Sequence, residues 1–325
     1  MITRRLLPGL LAGAALAVPR ILRAQEVFPS RPIRMVVGFP AGQATDIGAR
    51  VIAAKMTAGL GVPVVVDNRP GATGIMAHDI VKAAAPDGYT LQMASSGTLA
   101  INPTLFRNLS YDPLRDHTAI ALVNTSPMFL VATNEIPVRT LTEMIAYVRA
   151  RPGQVSYGSG GSGTTAHIGM EMLKQAANID MLHVPYRGSP PMVTDLIAGR
   201  VQFAFDSSSS MLPHIVAGRV RAIASSSQQR SDRAPDIPTV AESGFPEFLA
   251  LTWAGLVGPA NMPPEIVQRL NAEVNRAMAQ PDVIAHYTSL ASTLVGGTPA
   301  EFRTFLESEI HRWAGAVRAS GAQVD

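Results

Sequence analysis

The chain has 325 residues, 47% hydrophobic and 16% charged, which describes a folded globular protein and excludes a disordered or membrane-embedded one. That length exceeds the usual single core, so two lobes of about 100 to 150 residues each are expected. No cysteine is present, which excludes a disulfide framework, thiolate chemistry and a lipidated N-terminal cysteine.

Residues 1–24 read as an export signal. Arg4-Arg5 precede an apolar run from Leu6 to Val18, too short to anchor as a membrane span, and Ala24 offers a small residue for cleavage, with Ala15-Leu16-Ala17 as a competing site. Thr3-Arg4-Arg5-Leu6-Leu7 loosely resembles a twin-arginine signal, so either the Sec or the twin-arginine route is open. The segment holds four arginines and no acid, and its removal takes the formal charge from +3 to −1. With no Lys/Arg cluster interleaved with aromatics elsewhere, no nucleic-acid partner is expected.

The mature part opens with a strand at Met35–Val37, a turn at Gly38-Phe39-Pro40 and a helix capped by Thr45 or Asp46, with Ile47, Val51, Ala54 and Ala58 on one face. Unpaired amides at a helix N-terminus attract anions, so this turn is a candidate anion cradle. A second strand at Pro63–Asp67, the turn 68–74 and a helix to about Ala85 repeat the pattern. A strand at Tyr89–Ala94 ends in Ser95-Ser96-Gly97-Thr98, whose hydroxyls either face a ligand or serve the turn.

Ala119–Val123 and Met128–Ala132, separated by Asn124-Thr125-Ser126-Pro127, look like one strand crossing from the first lobe into a second. A helix at Leu141–Ala150 follows, and then a second strand, glycine turn and helix start at 154–167, with the helix running to about Ala177. His183–Tyr186, Val201–Phe205 and Val220–Ala224 read as strands, and Pro191–Ala198 as a helix. Ser225-Ser226-Ser227 mirrors the first crossing and returns the chain to Thr252–Val257. Helices at Pro264–Ala279 and Pro299–Ala319 complete an α/β chain. The expected division is lobe I at 25–124 plus 225–325 and lobe II at 125–224.

Gly158-Ser-Gly160-Gly-Ser-Gly163 matches the dinucleotide fingerprint, but Asp180 precedes the following strand and falls at the wrong edge for a ribose. A linker reading of the same stretch conflicts with the strand and amphipathic helix that flank it. The seven histidines are scattered without a zinc pattern, and a simple contact between His167 and Glu171 accounts for their spacing better than a metal does. No G-x-S-x-G elbow occurs, so nothing demands an enzyme or a cofactor. Asp206 ends an apolar strand, where it either caps the next turn or faces a cleft and receives an amino or hydroxyl group.

Taken in order, Phe39-Pro40-Ala41-Gly42, Thr45-Asp46, Asn68-Arg69-Pro70-Gly71, Pro86-Asp87-Gly88-Tyr89-Thr90, Ile101-Asn102-Pro103, His183-Val184-Pro185-Tyr186-Arg187-Gly188 and Asp236-Ile237-Pro238-Thr239 carry a family likeness. From Pro29 onward the chain resembles the periplasmic solute receptors of tripartite tricarboxylate transporters, the Bug family. The resemblance implies a two-lobed type II (Venus flytrap) periplasmic-binding-protein fold with two crossing strands. It implies a monomer without cofactor or metal that hands a small carboxylate to membrane transporter subunits; a periplasmic sensor feeding a signalling system would share the pocket. It further implies a carboxylate held between Pro40–Asp46 and Ser159–Thr164, with ordered water completing the shell. The candidate ligand-binding set is therefore Phe39, Pro40, Ala41, Gly42, Gln43, Thr45 and Asp46; Ser95, Ser96 and Thr98; Ser159, Gly160, Ser162, Gly163, Thr164 and His167; and Asp206. Gln43 departs from the glycine frequent there in the family, which makes it the position expected to set which carboxylate fits.

Overall fold

In the computed structural model, which describes residues 28–322, strands and helices alternate. The segment read as an export signal lies outside the described residues. The elements are β1 (Ile33–Val37), α1 (Ala44–Leu60), β2 (Val64–Asn68), α2 (Ile75–Lys82), β3 (Thr90–Ser95), α3 (Asn102–Leu105) and β4 (His117–Ala132). Next come α4 (Leu141–Arg149), β5 (Ser156–Ser159), α5 (Thr165–Ala177), β6 (Leu182–Pro185), α6 (Ser189–Ile197), β7 (Phe203–Ser207), α7 (Ser208–Val216) and β8 (Arg221–Ser225). The chain closes with β9 (Leu251–Pro259), α8 (Pro264–Met278), α9 (Pro281–Ser289), β10 (Thr293–Leu294) and α10 (Pro299–Ser320). Among the described residues no helix is long and apolar enough to cross a membrane.

One continuous strand joins two sheets. The first half of β4 pairs antiparallel with β9, which pairs with β3, and β1 and β2 follow in parallel. From Met128 onward β4 pairs instead with β7 and β8, and β5 and β6 extend that second sheet in parallel. Two α/β lobes result, with the return crossing beside the first. Ser226 fastens the crossings: its N–H donates to the Met128 carbonyl at 2.9 Å, its Oγ accepts the Met128 N–H at 2.8 Å, and that Oγ donates to the Ala250 carbonyl at 2.5 Å. The parallel β1–α1–β2 and β5–α5–β6 units place both strand-to-helix turns at the carboxyl ends of their strands, where ligands of open α/β sheets bind.

Helix α10 starts on a capping box formed by Thr298 and Glu301 and packs against both β4 and α5, so a single apolar cluster including Trp253, Phe302, Trp313, Leu173 and Phe205 runs through both lobes. Three differences from the sequence reading have physical causes. The buried face of α1 is Ala49, Ile52, Ala53, Met56 and Leu60, whereas Ile47, Val51, Ala54 and Ala58 are half-buried or exposed, because small residues on every side blur the periodicity. Helix α7 has no counterpart in the sequence reading; Ser208-Ser209-Ser210 and Pro213 are poor helix formers, so its local signal is weak. The cap of α1 is Gln43, with Asp46 in the first turn instead of at the cap.

Candidate functional site

The first turn is held from inside. Asp46 turns back so that one carboxylate oxygen accepts the Gly42 N–H at 2.9 Å and Arg50 Nε at 3.0 Å, while the other accepts Asn68 Nδ2 at 2.8 Å. Asn68 also donates to the Phe39 carbonyl at 2.9 Å. Burial pushes the Asp46 carboxyl up, but the bonds from Arg50, the Gly42 amide and Asn68 outweigh it and hold the group below the usual range. Asp46 therefore shapes the turn, its carboxylate being engaged by Gly42, Arg50 and Asn68. The Ala44 and Thr45 amides at the helix start have no acceptor among the described residues.

The second turn is built by the same logic. Thr164 caps α5, its Oγ1 accepting the His167 N–H at 3.3 Å and donating to the Gly161 carbonyl at 2.8 Å. Ser159 Oγ accepts the Gly161 N–H at 3.2 Å and pairs with His183 Nε2 at 2.7 Å. His167 Nδ1 accepts the Gly163 N–H at 3.1 Å, and its ring stacks on His183 with centroids 4.0 Å apart. Burial lowers both imidazoles, His183 to about 3 with help from the neighbouring His167, so both stay neutral and His167 keeps an acceptor for Gly163. Here too the amides at the helix start, those of Thr165 and Ala166, have no acceptor among the described residues.

The two helix N-termini converge on one cavity lined by Phe39, Gln43, Ala44, Thr45, Ser95, Gly97, Met128, Gly160, Thr164, Thr165, Ala166, Ser189, Asp206, Ser207 and Thr252. Pro40, with Gly160 and Thr164, also lines a neighbouring groove of about 490 Å³ that runs past Thr73 and Arg187. Direct hydrogen bonds cross the cleft: Thr73 Oγ1 donates to the Ser162 carbonyl at 2.9 Å, and Ser96 Oγ pairs with Thr165 Oγ1 at 2.7 Å; within the first lobe Ser96 Oγ also pairs with Thr252 Oγ1 at 3.2 Å.

Of the residues expected to touch a ligand, Phe39, Gln43, Thr45, Ser95, Gly160, Thr164 and Asp206 line this cavity. The remainder are placed elsewhere. Ala41 and Gly42 sit exposed on the rim. Asp46, Ser159, Gly163 and His167 bond within their own turns, Ser96 and Ser162 bond across the cleft, and Thr98 Oγ1 closes a turn onto the Ser95 carbonyl at 3.1 Å. The expected His167–Glu171 contact is replaced: Glu171 accepts from Tyr157 and from Lys174 at 3.0 Å. Among the described residues no three ligating side chains form a metal-holding group. Asp180, 84% exposed, lies before β6 at the sheet edge opposite the turn, because Ser159 pairs with Pro185 at the other end of that strand.

Asp206 forms part of the cavity wall and does not cap α7, whose N-cap is Ser207. It accepts Ser189 Oγ at 2.5 Å and the Ser207 N–H at 2.7 Å, and burial pushes its carboxyl up. The sequence reading missed Ala44, Thr165 and Ala166, although the helix starts imply their amides, and Ser189, which directly follows the His183–Gly188 motif. Met128, Ser207 and Thr252 have no local signal; they arrive through long-range pairing of β4, β7 and β9.

A family model described as tripartite tricarboxylate transporter family receptor matches residues 48–321. Protein BugT of Bordetella pertussis (strain Tohama I) is 38% identical over 317 residues, covering 97% of this chain and 96% of that protein. The solved structure of R. palustris Rpa4515 with adipate superposes with a TM-score of 0.88 at 32% identity, covering 90% of this chain and 98% of that one. MatC (Rpa3494) from Rhodopseudomonas palustris with bound malate gives a TM-score of 0.86 at 33% identity, covering 89% and 100%.

Proposed function

The chain belongs to the tripartite tricarboxylate transporter receptor family, whose members are binding proteins and not enzymes, and from that premise we propose that it captures a small organic carboxylate between its lobes in the periplasm and delivers it to transporter subunits in the membrane. One observation carries the reading: two helix N-termini, one from each lobe, present amides without acceptors to a single cavity. A carboxylate supplies the missing acceptors, and charge-assisted bonds contribute about 1.5–3 kcal/mol each. The adipate and malate held by the two solved relatives support this ligand class. In this reading the ligand contacts are Phe39, Gln43, Ala44, Thr45, Ser95, Gly160, Thr164, Thr165, Ala166 and Asp206, lobe I comprises 25–124 with 225–325, and lobe II comprises 125–224. Removal of residues 1–24 on export, and action as a monomer, belong to the same proposal.

Isothermal titration and thermal-shift screening against mono-, di- and tricarboxylates test it. A ligand at a hundred times its dissociation constant raises stability by about 2.7 kcal/mol, a readily measured shift. If no carboxylate moves the melting curve while a nicotinamide nucleotide does, the proposal is wrong.

A further inference from the structure

The cavity has two chemically opposite sides. One offers the unpaired amides of α1 and α5. The other offers acceptors. Gln43 Oε1 is buried with no donor among the described residues, and lies 3.2 Å from where a Cβ on Gly188 would sit. The next residue, Ser189, donates its hydroxyl to Asp206, a carboxylate only 7% exposed whose other protein partners are the amide and the nearby hydroxyl of Ser207. Among the described residues no Lys or Arg pairs with Asp206. An ionised carboxylate has about four lone-pair sites, so acceptor capacity remains.

We infer that Gln43 and Asp206 form a selectivity element that receives an O–H or N–H group of the ligand, so that the preferred ligands are carboxylates bearing a hydroxyl or amino substituent. This rests on the carboxylate-receptor reading and narrows it. A bare carboxylate satisfies the amide side but leaves Gln43 Oε1 unpaired and brings a second negative charge toward Asp206 without a proton between them. A hydroxy- or amino-carboxylate satisfies both sides at once. Sites built to bond a ligand O–H or N–H discriminate against analogues lacking it, because the buried partner is otherwise stranded.

Matched ligand pairs test the inference by titration calorimetry: propionate against lactate, succinate against malate and aspartate, and phenylacetate against mandelate. The wild-type protein is expected to bind the substituted member at least tenfold more tightly in every pair that binds. Asp206→Asn and Gln43→Leu, checked for folding by circular dichroism, are each expected to shrink that ratio to within about threefold. Equal affinity within pairs for the wild type, or an unchanged ratio in both folded variants, overturns the inference and leaves the carboxylate reading standing. Failure of every carboxylate to bind the folded wild type overturns both.

Discussion

Replacing Gly163 by alanine separates closure from folding. The residue has φ +79°, a conformation that costs an L-residue about 1–2 kcal/mol, and its added Cβ would lie 2.5 Å from Leu105 Cδ2 and 3.4 Å from Thr73 Cγ2. Leu105 and Thr73 belong to the first lobe, so the clash exists only when the lobes are together. Carbon atoms pack at about 3.5–4.0 Å, and overpacking of this kind costs about 1–3 kcal/mol. Charged to the closed state alone, that weakens ligand affinity by about 5- to 150-fold. Gly153 supplies the control: its φ is +69° and nothing lies within 4 Å of an added Cβ, so Gly153→Ala carries the backbone strain without the wedge. Both variants are expected to lose about 2–8 °C in melting temperature without ligand. Titration calorimetry with a carboxylate that binds the wild type should show normal affinity in Gly153→Ala and the full loss in Gly163→Ala. Equal affinities in the two variants would refute the placement of the second turn against the first lobe in the bound state.

Thr73→Val removes the donor to the Ser162 carbonyl while keeping the shape, and is expected to weaken binding about two- to twelvefold, chiefly through faster dissociation in stopped-flow measurements. Asp46→Asn probes acid stability. The depressed carboxyl of Asp46 contributes stability that is present above its unfolded value and lost as pH falls through the folded value, so below about pH 4 the wild type should lose stability more steeply than the variant in urea titrations. The buried pair His78 and His117, with ring nitrogens 3.1 Å apart, acts at higher pH. Burial lowers both, His117 to about 4 against opposing help from Asp112 and Asp116, so between about pH 6.5 and 4 the unfolded chain takes up protons that the folded one refuses. Stability should therefore fall as pH drops through that window, and His117→Leu should flatten the slope; an unchanged slope would remove the pair from the account.

Much of this arrangement is legible in the residues themselves. Strand, glycine turn and helix follow one another at 33–46 and 154–167 because glycine turns let a strand reverse sharply into a helix, and residues 120–123 and 128–132 are apolar because each run is buried in its own sheet, with the polar residues 124–126 at the crossing between them. What is not legible is where a polar side chain spends its hydrogen bonds. Asp46, Ser159 and His167 are the residue types a carboxylate pocket needs, yet they are also the types that can hold an adjacent glycine turn in shape, and they serve the turn. Conversely Thr252 reaches the cavity through the antiparallel pairing of β9 with β3 and β4, a placement that depends on contacts more than a hundred residues away in sequence.

In the proposed binding mode the same distribution of bonds lets a small ligand govern closure of the lobes. The direct cross-cleft bonds, Thr73 to Ser162 and Ser96 to Thr165, contribute about 0.5–1.5 kcal/mol each, and α10 packs against elements of both lobes, which share that core. Those terms are present with or without ligand and only set the resting balance. Moving an equilibrium from 1:99 to 99:1 takes about 5.5 kcal/mol of differential affinity. Two to three charge-assisted bonds that exist only when both helix starts face the same carboxylate supply a figure of that size. A ligand held equally well by one open lobe shifts nothing, however tightly it binds. In the proposed binding mode selectivity at Gln43 and Asp206 and the drive to close are one requirement, because the first turn brings Gln43, the second lobe brings Asp206, and a ligand bonded to both holds the lobes together.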